Sequence, residues 1–148
     1  EGKSILLQLQ SAVDDYKLKQ KIIVELAYVE FDLNNVDEAE DYCKKLLEDQ
    51  NLEDEDRGKC YNLLGLIEIQ IRHNPKQALD NFILGEEQYG KTRFTDRVAR
   101  IKVNIGNIYN ILEEKSIAEK YWQNSIDLNR TIGNLEQEAL TLVSYGVF

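Results

Sequence analysis

One spacing constrains this chain more than anything else in it. A small residue on one helical stretch and an Ala-x-x-x-bulky pair on the next recur about every 40 residues. The clearest copy is residues 104–125, NIGNIYNILEEKSIAEKYWQNS, where two helical patterns meet across a short break at 113–115. Ile105, Gly106 and Tyr109 belong to the first pattern. Ala118, Trp122 and Ser125 belong to the second, spaced four and then three apart, which puts all three on one helix face. Gly106 and Ala118 let two backbones come close, and Tyr109 and Trp122 fill the space beside them. The Ala118/Trp122 pair recurs as Ala78/Phe82, 40 residues earlier, and as Ala39/Cys43, 39 before that. The small residue recurs as Ala27, Gly65, Gly106 and Gly146, at intervals of 38, 41 and 40. Residues 9–27 match residues 128–146 in apolar pattern without gaps, 119 positions apart, close to three periods. A fixed period of this size means that each unit buries its apolar stripe against its neighbours, as in a solenoid.

Taken in order, residues 1–16 read as the helix of a preceding repeat, 17–55 as repeat one, 56–94 as repeat two, 95–134 as repeat three and 135–148 as the first helix of a fourth. Helices are expected over 3–15, 17–33, 37–49, 57–72, 75–89, 95–112, 115–129 and 135–148. Asn34-Asn35 forms the first turn because asparagine tolerates the left-handed conformation. Asn74 caps the helix that opens at Pro75, where a missing N–H costs nothing, and Gly90 and Gly133 close helices. Residues 49–56, DQNLEDED, read as a solvated linker whose acids favour the positive end of the next helix. On the last helix Leu140, Leu142, Val143, Tyr145, Val147 and Phe148 face outward, a surface suited to homodimer formation. The whole reads as a segment of a larger protein.

Composition narrows function. The 27 acidic against 18 basic residues give a net charge of −9, which disfavours nucleic acid and anionic membranes as direct partners. No apolar run approaches the length of a membrane span, and no secretory signal opens the chain, so a cytoplasmic setting is expected. Cys43 and Cys60 have neither metal-site nor redox spacing and read as reduced, buried thiols. His73 is the single histidine, at a turn, so no two-histidine zinc site and no histidine-activated nucleophile is in sight. The glycines form no phosphate-binding loop, and Glu86-Glu87 and Glu113-Glu114 do not face one another on a helix. No catalytic, metal or cofactor site is expected, which leaves recognition.

Leu64-Gly65 followed by Ala78 and Phe82, and Ile105-Gly106-x-x-Tyr109 followed by Ala118 and Trp122, resemble the tetratricopeptide signature L-G-x-x-Y…A-x-x-x-F. The resemblance covers nearly the whole chain. It departs from the family in a period near 40 rather than 34, in the missing repeat-closing proline, and in Ile23, Tyr61, Lys102 and Leu142 at the usual tryptophan position. The chain is similar to the long-repeat branch, as in bacterial regulators, peptide-sensing proteins and polarity scaffolds. The resemblance implies an all-α, right-handed α-solenoid of about eight helices. First helices line a concave groove and second helices pave the convex back.

Carried over position by position, the groove residues are Lys21, Val24, Tyr28 and Phe31 in repeat one, Lys59, Asn62, Leu66 and Ile69 in repeat two, and Arg100, Val103, Asn107 and Asn110 in repeat three. Among them Asn62, Asn107 and Asn110, with Asn104, suggest a row of amides for the backbone of an extended peptide. Tyr28, Phe31 and Leu66 suggest an apolar patch for anchor side chains. The clamp that holds a partner's C-terminal carboxylate is missing, with Val24 and Tyr28 at its leading positions. The expected function is a protein- or peptide-binding adaptor or sensor segment of a signalling or transcription-regulatory protein. A self-associating spacer between other domains is the alternative, and a receptor for a short signalling peptide is a third possibility.

Overall fold

A computed structural model describes residues 1–146, and Val147 and Phe148 lie outside it. Eight helices and no strand occur among the described residues: α1 (Gly2–Ala12), α2 (Tyr16–Asp32), α3 (Val36–Leu47), α4 (Asp54–Gln70), α5 (Pro75–Gly90), α6 (Thr95–Ile111), α7 (Lys115–Thr131) and α8 (Leu135–Tyr145). Each packs on the next, α2 also touches α4, and α6 touches α8. The arrangement is an all-α, solenoid-like stack. No helix among the described residues is long and apolar enough to cross a membrane.

The turns within the hairpins share one device. Asn34, His73 and Glu113 have positive φ, as does Gly133 between α7 and α8. Just past each, an amide reaches back over the helix end: Asn35 N–H to Glu30 O, Asn74 to Glu68 O, Glu114 to Tyr109 O and Asn134 to Asn129 O, all 2.8 Å. These bonds occupy carbonyls that a helix end leaves without partners. The Asn74 bond spans one residue more than the others, matching the longer turn at His73. Pro75 sits in the first turn of α5, and the Asn74 side chain accepts from Gln77 N–H at 3.2 Å.

The close helix contacts expected from the repeat are present. A Cβ on Gly65 would lie 2.5 Å from the Phe82 ring, and one on Gly106 would lie 2.7 Å from Trp122 and 3.3 Å from the Ala118 carbonyl. In the first hairpin Ala27, Ala39 and Cys43 share one buried cluster with Leu63 and Ile67. A second cluster gathers Ala78, Phe82 and Tyr89 with Ile101, Ile105 and Ile108. Cys43 and Cys60 are free and buried. The neighbouring Cys60 and burial together push the Cys43 thiol up, so it stays protonated.

Four local expectations are corrected. The 49–56 linker is not simply solvated. Leu52 enters the first core cluster, and Asp56 is buried with Lys21 Nζ 3.2 Å from its carboxylate. Helix α4 starts at Asp54 rather than residue 57 because three acids, Asp54, Glu55 and Asp56, fill its first turn, where the helix dipole favours them. Gly146 makes no tight contact; it ends α8 with φ 72° and nothing near its Cβ direction. Tyr145 turns inward, its ring 5.6 Å from that of Trp122, and Leu142 is half-buried, while Leu140 and Val143 are exposed as expected. The expected exposure of Val147 and Phe148 concerns residues outside the described ones.

The backbone approach at Gly106 leaves no room for even one methyl. Gly106→Ala is expected to lower unfolding stability by about 1–3 kcal/mol through overpacking. Gly90→Ala, with open space around it, should be neutral or slightly stabilising. Urea unfolding of the two variants checks the contrast, and equal midpoints would contradict it.

Candidate functional site

The first helices α2, α4 and α6 all contribute to one open cleft of about 290 Å³. Its wall carries Glu25 and Tyr28 from α2, Lys59 and Asn62 from α4, and Arg97, Arg100 and Ile101 from α6. Tyr89 of α5 joins them from below. It can do so because residue 58 is glycine: a Cβ there would lie 2.6 Å from two Tyr89 ring carbons. Gly85 does the same for Ile101: a Cβ there would lie 2.6 Å from the Ile101 Cδ1.

Two rows of polar contacts cross the three helices. One is ionic. Lys59 Nζ lies 3.0 Å from Glu25 and 3.9 Å from Glu55, and Arg97 reaches Glu55 at 2.9 Å. The other is neutral. Tyr28 Oη donates to the Lys59 carbonyl at 2.9 Å and accepts from Asn62 Nδ2 at 3.2 Å. Asn62 Oδ1 in turn accepts from Asn104 Nδ2 at 3.0 Å. Burial raises the Tyr28 and Tyr89 phenols well above their ordinary range, so both stay neutral. Lys59, Glu55 and Arg97 are partly buried, and their pairing fixes side-chain positions across the three helices.

The structure brings Tyr28, Lys59, Asn62 and Arg100 together and separates them from the other expected groove residues. Phe31 packs on the first core cluster, and Leu66 and Ile69 pack on the second. They are wall rather than open patch, because neighbouring repeats close over them. Val24 is buried, and Lys21 holds Glu53 at 2.7 Å and Asp56. The amide row does not run as expected. Asn62 and Asn104 bond each other, each keeping one spare N–H. Asn107 Oδ1 accepts from Trp122 Nε1 at 3.0 Å. Asn110 is exposed and lines a different depression with Lys115, Glu119, Trp122, Ser144 and Tyr145.

Sequence reasoning missed four cleft residues. Glu25 and Arg97 stand three positions before Tyr28 and Arg100, on the same faces, and helical spacing alone could have added them. Ile101 follows Arg100 and reads as core. Tyr89 lies on a second helix and reaches the cleft only past Gly58, for which no repeat position gave a signal. Among the described residues no three His, Cys, Asp or Glu side chains gather as a metal-ligand set. Compared with known proteins, the chain matches no family model and no curated sequence.

Tyr28 ties the neutral row to α4. Tyr28→Phe is expected to reduce stability by about 1 kcal/mol, the net worth of such a bond, with unchanged helical circular dichroism and altered Asn62 side-chain amide resonances. Unmoved Asn62 resonances would contradict the row.

Proposed function

We propose that this chain is a non-enzymatic protein- or peptide-binding module of the tetratricopeptide kind. In this reading it is the adaptor or sensor segment of a larger cytoplasmic regulator, of the type found in bacterial signalling or transcription control. The observation that carries it is the cleft across α2, α4 and α6. Three successive first helices contribute to one polar recess with an aromatic floor. An extended segment laid across it would meet the spare N–H of Asn62 and the parts of Tyr28 and Tyr89 that line the cleft. The repeat spacing, and the Leu64-Gly65 and Ile105-Gly106 pairs with their downstream aromatics, support the family reading.

A second reading has one observation in its favour. Leu135, Leu140 and Val143 of α8 are 74%, 53% and 64% exposed, and apolar surface of this kind favours association. It makes the segment a self-associating spacer.

Panning a displayed random-peptide library on the protein, then mapping a selected peptide by NMR chemical shifts, separates the two. Shifts at Tyr28, Asn62, Tyr89 and Arg100 are expected. No enriched peptide, together with concentration-dependent shifts confined to α8, would contradict the groove reading and favour the spacer.

A further inference from the structure

We infer that the cleft between α2, α4 and α6 selects a segment carrying an internal anionic side chain, a carboxylate or a phosphate, and binds that group through Arg97 and Arg100. The inference rests on the groove reading and names what the groove selects.

Four observations carry it. First, the cleft inverts the charge of the molecule. The chain as a whole is at −9, yet the cleft and its immediate ion pairs set three cations, Lys59, Arg97 and Arg100, against two carboxylates, Glu25 and Glu55. Second, the positive charge is unevenly matched. Lys59 and Arg97 have acidic partners, while Arg100 is exposed at the cleft and makes no ion pair among the described residues. Third, Arg97 has spare donors. One terminal nitrogen meets Glu55, and its buried Nε–H has no acceptor. A buried donor without an acceptor is destabilising, so an oxyanion reaching this guanidinium supplies acceptors it lacks. Fourth, Arg97 and Arg100 are three residues apart on α6 and share one face. Two guanidinium groups lining one cleft suit an oxyanion with several acceptor oxygens, which takes paired, charge-assisted hydrogen bonds from each.

The surrounding elements support an anion rather than a cation. Glu25 and Glu55 are held by Lys59 and Arg97 and offer no unpaired negative charge. The neutral Tyr28–Asn62–Asn104 row beside them adds spare N–H donors and no charge. At physiological salt the Debye length is about 8 Å, so the remote acids of the convex face weigh little against guanidinium groups in contact with the ligand.

The test uses the whole chain and three nonapeptide pools, acetylated and amidated so that no terminal charge contributes. The pools are random except for a fixed central Glu, Gln or phosphoserine. Affinities are read by fluorescence anisotropy, and the cleft is monitored by NMR shifts. The Glu pool is expected to bind about tenfold tighter than the Gln pool, the difference a charge-assisted pair gives. Arg100→Gln should remove most of that difference. Arg93→Gln, the same charge change outside the cleft, should keep it. A phosphoserine pool tighter than the Glu pool makes phosphate the favoured anion; equal binding makes carboxylate sufficient. Glu and Gln pools that bind the cleft equally, or a preference that survives Arg100→Gln, would overturn the inference and leave the groove reading standing. No shift of cleft resonances with any pool would overturn both.

Discussion

The stack depends on helix backbones that approach where a glycine on one faces an aromatic ring on the other. Phe82 lies against Gly65, Trp122 against Gly106 and Tyr89 against Gly58, each at a distance that excludes a Cβ. These contacts fix how far α4 stands from α5 and α6 from α7, and Gly85 facing Ile101 sets the approach of α5 to α6. Packing at crystal-like density does not deform continuously, so the distances between first helices follow. The width of the cleft is therefore a consequence of core packing, not an independent feature of its rim. The Tyr89 floor makes the link direct: one ring packs in the second core cluster and lines the cleft.

Polar interactions act on top of that frame. The Glu25–Lys59–Glu55–Arg97 row links α2, α4 and α6. Together the row holds long, flexible side chains in defined places and leaves Arg100 as the unmatched charge. Where α3 meets α4 there is comparable pairing: Arg72 bridges Glu40 and Glu68, and its guanidinium draws the Glu40 carboxyl below its usual range. The cleft differs from that cluster in its aromatic lining, Tyr28 and Tyr89.

Much of this was legible in the sequence because packing repeats. The Gly/Ala and Ala-x-x-x-aromatic spacing located the hairpins, and Asn34, Pro75 and Gly133 located turns, since each has a backbone preference that acts locally. The start of α4 at Asp54 differs from expectation by three residues because an acidic run suits a solvated linker and a helix first turn equally. The site was half legible. Tyr28, Lys59, Asn62 and Arg100 share a cleft because first-helix positions carry over from repeat to repeat. Phe31 and Leu66 went into the walls, and Asn107 into a bond with Trp122, because the fate of a half-apolar face depends on how far the next repeat slides over it. Spacing does not encode that distance. Tyr89 was illegible for the same reason: it crosses between layers through a gap that exists only once α4 and α5 are packed.

The central claim is that the cleft is a preformed property of one cooperatively packed stack. Native-state amide hydrogen exchange under increasing denaturant tests it most directly. The slowest amides of α4, α5, α6 and α7 should exchange through one shared opening with a single free energy and a single denaturant dependence, while α1 and α8 open at lower cost. Separate opening of the α4–α5 and α6–α7 hairpins, each with its own free energy, would contradict it, since a cleft crossing independently opening repeats is not fixed by their packing.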